Sequence, residues 1–315
     1  MNRIALILVR RAPWLVAGLI VLLGIALLPE FQRPAYWLSL GDQYFSMAAL
    51  ALALTPIMLT GGIDLSVGSV TVFASVVIGA LWRDAGWPIE WAVTAGILAG
   101  LLAGLGNGGL VIVGVPSLVA TLATRELFRG LALAISGDRP VNRFPAELGG
   151  FWRGSVLGVS IPLIVLAVLF VVSYLLVHHT WIGRMIFAIG DNERAARFAA
   201  VPVRRIKLGI YAWCGLVGGI CGAATVCRYN AAKADAEKSL ELMAIACAVL
   251  GGIRIVGGAG HMGGTLVGIV TVAVLMAGLG SIDSTWRDMV TGAVLVGVAI
   301  LNEAAARWLV RRGHG

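Results

Sequence analysis

The amino-acid sequence predicts an all-α polytopic membrane protein of about ten transmembrane helices with both termini in the cytoplasm, and three observations predict it. The 315 residues are 59% hydrophobic and only 13% charged, about half the charged share of soluble domains. The mean hydropathy is +0.93. Uncharged runs of about 20 residues, the length that crosses a bilayer, recur between short stretches carrying Gly, Pro or charge. Connections that short leave no room for a soluble domain, so residues 1–315 read as a single transmembrane domain.

The elements follow in order. Arg3, Arg10 and Arg11 precede an uncharged run over 12–29. That start imitates a secretory signal, but the run spans a bilayer and no small-residue cleavage site follows, so it reads as the first helix. Runs 43–63 and 65–82 flank a single acid, Asp64. The next run, 91–124, is too long for one helix. Gly114-Val115-Pro116 divides it, because proline disfavours helix in the residue before it, which gives spans near 91–113 and 117–136. Further spans fall near 155–178, 207–227, 240–256, 262–281 and 286–306.

Orientation follows from the basic residues, which gather in cytoplasmic loops. With the N-terminus inside, that side receives Arg3, Arg10 and Arg11, the cluster from Arg184 to Lys207, and then Arg254, Arg307, Arg311 and Arg312. The net charge of +8 therefore belongs with lipid headgroups rather than nucleic acid. Cys214, Cys221, Cys227 and Cys247 lie in apolar stretches and read as small buried hydrophobes.

The sequence lacks the chemistry of an enzyme. It contains no G-x-x-x-x-G-K-[ST] phosphate loop. His178, His179 and His261 have neither metal-ligand spacing nor a nucleophile–base arrangement. No metal or cofactor is expected on this chain, and any ATP that drives it is bound by another polypeptide.

Three features stand out. The first is Thr60-Gly61-Gly62-Ile63-Asp64-Leu65-Ser66-Val67-Gly68-Ser69. Two glycines and an acid interrupt membrane helix there, and such breaks persist at depth only when buried in protein or lining a wet cavity. A plain surface turn with Asp64 capping the next helix is the other reading. The second is the segment 179–206, where Asp191 or Asn192 N-caps a short helix, Glu193 to Ala200, that Pro202 stops. Glu193 lies in its first turn and Arg194 and Arg197 follow; the segment reads as a cytoplasmic helix stub or as a loop held at lipid headgroups. The third is Arg125-Glu126-Leu127-Phe128-Arg129 inside a span. Charges at that depth face a cavity or each other, so the trio reads as a path lining or as a structural ion pair. Gly61–Gly68 also compares with Gly251–Gly258, Asp64 matching Arg254 with opposite sign, which raises the idea that the two charges meet.

The Gly61–Ser69 string resembles the signature of ATP-binding-cassette permeases that import ribose, galactose, arabinose, xylose and autoinducer-2. Val115-Pro116-Ser117-Leu118-Val119-Ala120-Thr121-Leu122-Ala123 with Arg129-Gly130 is similar to that family's P-x-x-x-x-T-L-G…R-G stretch, with Ala123 replacing a glycine. Leu250-Gly251-Gly252 with Gly257-Gly258 is similar to a late glycine segment, and the resemblance runs from about 44 to 303. It implies that Gly61, Gly62, Asp64, Ser66, Gly68 and Arg129 belong to the signature and translocation path; Arg125 and Glu126 are peculiar to this chain and, with Arg254, stand as path or ion-pair residues on their own chemistry. It implies a coupling helix at Gly190, Asn192, Glu193, Ala195 and Arg197, with Ala200 where the family has glycine. It further implies a bacterial inner-membrane location, alternating access, and three partners: an ATPase subunit carrying ATP and Mg, a second permease as homo- or heterodimer, and a periplasmic solute-binding protein. A branched-chain amino-acid permease of the same superfamily is the nearest alternative. An ion-gradient carrier using Asp64 and Glu126 is the more distant one.

Overall fold

The structure, a computed structural model, describes residues 29–279 apart from 138, 237 and 238, and a few positions within 18–26 and 289–297. Most of the expected span 12–29, the span 286–306 and both charged termini lie outside the described residues.

Helices α1 (Pro34–Gln43) and α2 (Phe45–Leu59) meet at a 65° bend. Every residue of α2 except Ser46 is buried, as expected of a helix apolar on all sides. Its Thr55 returns its hydroxyl to Ala51 O (2.8 Å) and meets Thr265 Oγ1 at 3.0 Å. The chain continues through α3 (Val67–Arg83), α4 (Ile89–Ile112), α5 (Ser117–Ser136), β1 (Val141–Asn142), α6 (Ala146–Trp152), β2 (Ser155–Val156) and β3 (Val159–Ser160). Then come α7 (Ile161–His179), α8 (Trp181–Asp191), α9 (Glu193–Phe198), α10 (Val203–Tyr229), β4 (Ala231–Ala232), α11 (Leu240–Leu250) and α12 (Met262–Gly278).

Among the described residues, helices α4, α7 and α10 are long and apolar enough to cross a membrane, and the bent pair α1–α2 meets the same test only when its two helices are taken together. Helices α3, α11 and α12 are apolar but shorter. The 20 residues of α5 carry Arg125, Glu126 and Arg129. The most intimate packing joins α4 to α10. Gly100 and Gly104 face Gly215 and Gly219, and a Cβ on Gly100 would stand 2.6 Å from Gly215 O. Small residues four apart let two backbones approach, the packing that holds helices together where lipid is as apolar as leucine.

The spans alternate in direction. One end gathers the break at 60–66, the turn 113–116, the segment 180–202 and the glycine turn 251–261, joined by Gly258 N donating to Leu59 O at 3.0 Å and Ile63 N donating to Ser117 Oγ at 3.2 Å. The other end holds the antiparallel β1–β4 pair and the stacked rings of Trp82 and Phe144, 4.7 Å apart.

Four expectations shift. The span expected from 155 begins at Ile161, because Val156-Leu157-Gly158-Val159 turns back as a hairpin with φ of 54° at Leu157 and 80° at Gly158. The span expected over 240–256 stops at Leu250, where Gly252, Gly257, Gly258 and Gly260 all adopt positive φ. The helix expected to 63 stops at Leu59, before Gly61 at φ 76°. The segment 179–206 forms two helices, α8 and α9, and α9 ends at Phe198 rather than Ala200.

Candidate functional site

Residues 60–66 leave helical geometry, and their backbone is satisfied by side chains of α5. Ile63 N donates to Ser117 Oγ (3.2 Å) and Leu65 N donates to Thr121 Oγ1 (3.1 Å). The Thr121 hydroxyl proton is shared between Ser117 O (2.8 Å) and Ile63 O (3.2 Å). The spacing explains the fit. Four helical residues rise about 6 Å and two extended residues about 6.6 Å, so the extended segment climbs in step with the first turn of α5. Two strings read separately in the sequence thus form one structure.

Asp64 lies within that climb and is 2% exposed. Its Oδ1 accepts from Ser66 N (2.8 Å) and from Ser66 Oγ (2.7 Å), while Asn107 Nδ2 of α4 donates to Ser66 Oγ (2.6 Å). The direction is fixed, because the one Ser66 hydroxyl proton goes to the carboxylate and the oxygen must then accept. Asn107 Oδ1 and Tyr211 Oη are buried without a hydrogen-bond partner among the described residues. A Cβ on Gly62 would stand 3.1 Å from Tyr211 Oη. Among the described residues no ion pair reaches Asp64, and Arg254 is exposed on the 251–261 turn. The two glycine strings meet through backbone instead: a Cβ on Gly257 would stand 2.6 Å from Gly61 N.

One turn further along α5, Arg125 donates through Nε to Glu241 Oε1 (2.9 Å) and through Nη1 to Glu126 Oε1 (2.8 Å). Glu241 is the acid in the first turn of α11 and its side chain is 5% exposed. Gly68, in the first turn of α3, packs so closely on Glu241 Oε2 that a Cβ there would collide with it. The 11 residues of α11 rise about 16 Å, roughly half of a 30 Å hydrocarbon core. Its C-terminus joins the glycine turn, so its N-terminus stands about 16 Å in from that turn. There the positive ends of two interrupted helices and one guanidinium converge on one carboxylate. Glu126 is 65% exposed on the α5 face that also presents Leu118, Val119, Leu122 and Leu127. Arg129 is half-buried one turn above Arg125, in no ion pair among the described residues.

The segment after α7 is built with equal economy. Asn192 caps α9, its Oδ1 accepting from Ala195 N (3.0 Å). Glu193 accepts from Arg197 (2.6 Å) and from Lys207 (2.7 Å). Partial burial alone would raise its carboxyl pKa, but the hydrogen bonds from Lys207 and Arg197 outweigh that and hold it below the ordinary glutamate value. Gly190 touches the Leu59 carbonyl and the Gly258 amide so closely that a Cβ would collide with both. Ala200 takes φ 58°, the left-handed conformation that glycine adopts without strain, so the turn after α9 is made here at a conformational cost.

Sequence reasoning passed over Glu241, Asn107 and Tyr211. Glu241 was legible as the acid of the run 240–256, and Asn107 as the polar residue within a glycine stripe. Nothing marked Tyr211. His178 and His261 stack at 4.1 Å, and His178 Nε2 accepts from Met262 N (3.1 Å), a packing role. Among the described residues no group of three or more His, Cys, Asp or Glu side chains is placed to hold a metal ion.

The chain is similar to the ribose import permease protein of Bacillus subtilis (strain 168), 36% identical over 92% of this chain and 91% of that one. It is 34% identical to the ribose import permease protein of Escherichia coli (strain K12), over 90% and 91% of the two chains. It is also 34% identical to the autoinducer 2 import system permease protein of Yersinia enterocolitica, over 86% of each. No solved structure matches it. Across residues 42–299 it matches the family described as branched-chain amino acid transport system / permease component, and it belongs to that family.

Proposed function

We propose that this chain is the membrane-spanning permease subunit of an ATP-binding-cassette importer that carries a monosaccharide or sugar-like solute across the bacterial inner membrane. The similarity over about nine-tenths of the chain to permeases named for ribose and autoinducer 2 import carries that reading. The family description names branched-chain amino acids, but the relatives named for ribose and autoinducer 2 import favour a sugar-like solute, and our reading is a pentose, a deoxyhexose or autoinducer 2.

In this reading the solute moves past the α5 face, where Glu126, Arg125 and Arg129 offer donors and acceptors to hydroxyl groups on an otherwise apolar wall. Glu241 fixes Arg125 from behind, and the α3 and α11 N-termini supply preorganised positive potential without mobile charge. Asp64, Ser66 and Asn107 shape the broken segment rather than touch solute. The segment Gly190–Arg197 receives the stroke of a separate ATPase, which binds ATP and Mg, and the Gly190 contact passes it to Leu59 at the end of α2 and to Gly258 in the glycine turn after α11. Alternating access follows when that joint shifts. A second permease, identical or diverged, completes the path, and a periplasmic solute-binding protein delivers the cargo at the opposite face. Both termini lie in the cytoplasm, and the chain performs no hydrolysis itself.

Isolation of the tagged chain from its native host in mild detergent, with mass spectrometry of what accompanies it, tests the reading. A stoichiometric subunit bearing a P-loop supports it. A chain that binds or moves solute with no such subunit contradicts it and makes the chain an ion-gradient carrier.

A further inference from the structure

Helix α9 carries three charged side chains in its six residues, yet it ends on Phe198, which is 93% exposed. An aromatic ring presented whole to water departs from the usual burial of Phe, and among the described residues nothing covers it. Its surroundings make it a preorganised projection. Asn192 caps the helix, Ala196 beneath it is buried, and the paired hydrogen bonds of Arg197 and Lys207 to Glu193 fix the two ends together. At the other end of the rigid unit, Gly190 sits directly on the Leu59 carbonyl.

Charge identifies what fits over the ring. Glu193 occupies Arg197 and Lys207, whereas Arg194, Arg204 and Arg205 are exposed and free of ion pairs among the described residues. The surface is an apolar knob with a positive rim. We infer that Phe198 is the anchor through which this segment docks on its ATPase partner, seated in an apolar pocket edged by carboxylates. The inference rests on the permease reading above and adds the residue and the chemistry of the pocket. A soluble protein fits better than anionic lipid, because an acid placed to neutralise two of the cations and stiffen the helix works against adsorption to a negative membrane and in favour of a fixed shape.

The test uses the full chain. The P-loop subunit that co-isolates with the wild-type chain is stripped off, purified and titrated back onto the permease in detergent. F198A is expected to weaken that binding about 30-fold, the cost typical of truncating a central aromatic anchor, while F198L, which keeps an apolar side chain, stays within about threefold of wild type. Because the ring is exposed, both variants are expected to elute as folded permease on gel filtration. Undiminished binding by F198A overturns the anchor and leaves the permease reading intact, and it is the result that insertion of the ring into lipid would give. Failure of the wild-type chain to co-isolate with any P-loop subunit overturns the permease reading itself, and the anchor with it.

Discussion

Thr121 shows how single side chains hold open a helix that would otherwise run on through the membrane. Its hydroxyl satisfies Leu65 N and shares its proton with Ile63 O. Thr121→Val keeps the shape and removes both bonds, leaving the partly buried Leu65 N–H unpaired; the expected loss is about 1 kcal/mol, read as a lower thermal midpoint in detergent. Asp64 is the acceptor on which Ser66 and Asn107 converge. Asp64→Asn retains an acceptor oxygen and is expected to remain close to wild type, whereas Asp64→Ala leaves the Ser66 N–H unpaired at a cost of about 1–3 kcal/mol. Equal losses for both variants would show that the charge, not the hydrogen-bond geometry, matters at this position. Glu241→Ala removes the carboxylate that faces Arg125 from a nearly closed site, so a loss of about 2 kcal/mol or more is expected, discounted from a fully buried pair because Arg125 is 29% exposed. Of these residues, Asp64 and the Ser117–Thr121 string were conspicuous in the sequence. The contact between them was not, since it depends on α5 rising in step with an extended strand more than 50 residues away.

The elements were legible wherever hydrophobicity and punctuation agreed. The division at Gly114-Val115-Pro116 is real, and α5 runs from Ser117 to Ser136 as the charge-free flank and proline required. Where apolar residues do not imply helix, the reading failed: Val156 and Val159 sit in a hairpin, and Ile253, Ile255 and Val256 sit in a glycine turn. Hydropathy reports burial or lipid contact and carries little information about φ. The α9 stub was legible through its Asn192 cap, but the helix before it, α8, was hidden in a segment read mainly for its charge. Two predictions belong at this scale. Gly190→Ala is expected to uncouple or misfold the joint, because its Cβ meets the Leu59 carbonyl, and an altered proteolysis pattern in 180–202 with preserved α10 packing would reveal it. Because hydrogen bonds hold Glu193 below its ordinary pKa, its contribution to stability is complete above the usual carboxylate range and is lost as pH falls through the lowered value. Glu193→Gln is therefore expected to lower the melting temperature modestly near neutrality, because Glu193 is one-third exposed, and to differ little from wild type at low pH, so that the acid limb of the melting curve is flattened.

At the scale of the whole molecule, α3 and α11 both start beside the Glu241 carboxylate, and α8 rests on the end of α2 and on the glycine turn that follows α11. Such a construction concentrates flexibility at the glycine joint and leaves the α4–α10 pair as a close-packed frame. It accounts for the chain's unusual distribution of polarity: nearly all apolar, with one buried carboxylate in each broken region and one charged face on α5. Under the proposed function the frame converts displacement of a small helix into rearrangement of the path, and that proposal requires an external source of work. Uptake of radiolabelled monosaccharide by intact cells carrying the chain and its neighbouring subunits measures this most directly, with ATP depletion and a proton uncoupler applied separately. Uptake that is lost on ATP depletion and survives the uncoupler while cellular ATP is maintained is the predicted result. Uptake that collapses with the ion gradient while ATP remains high would contradict the account and reassign Asp64 and Glu126 as ion carriers.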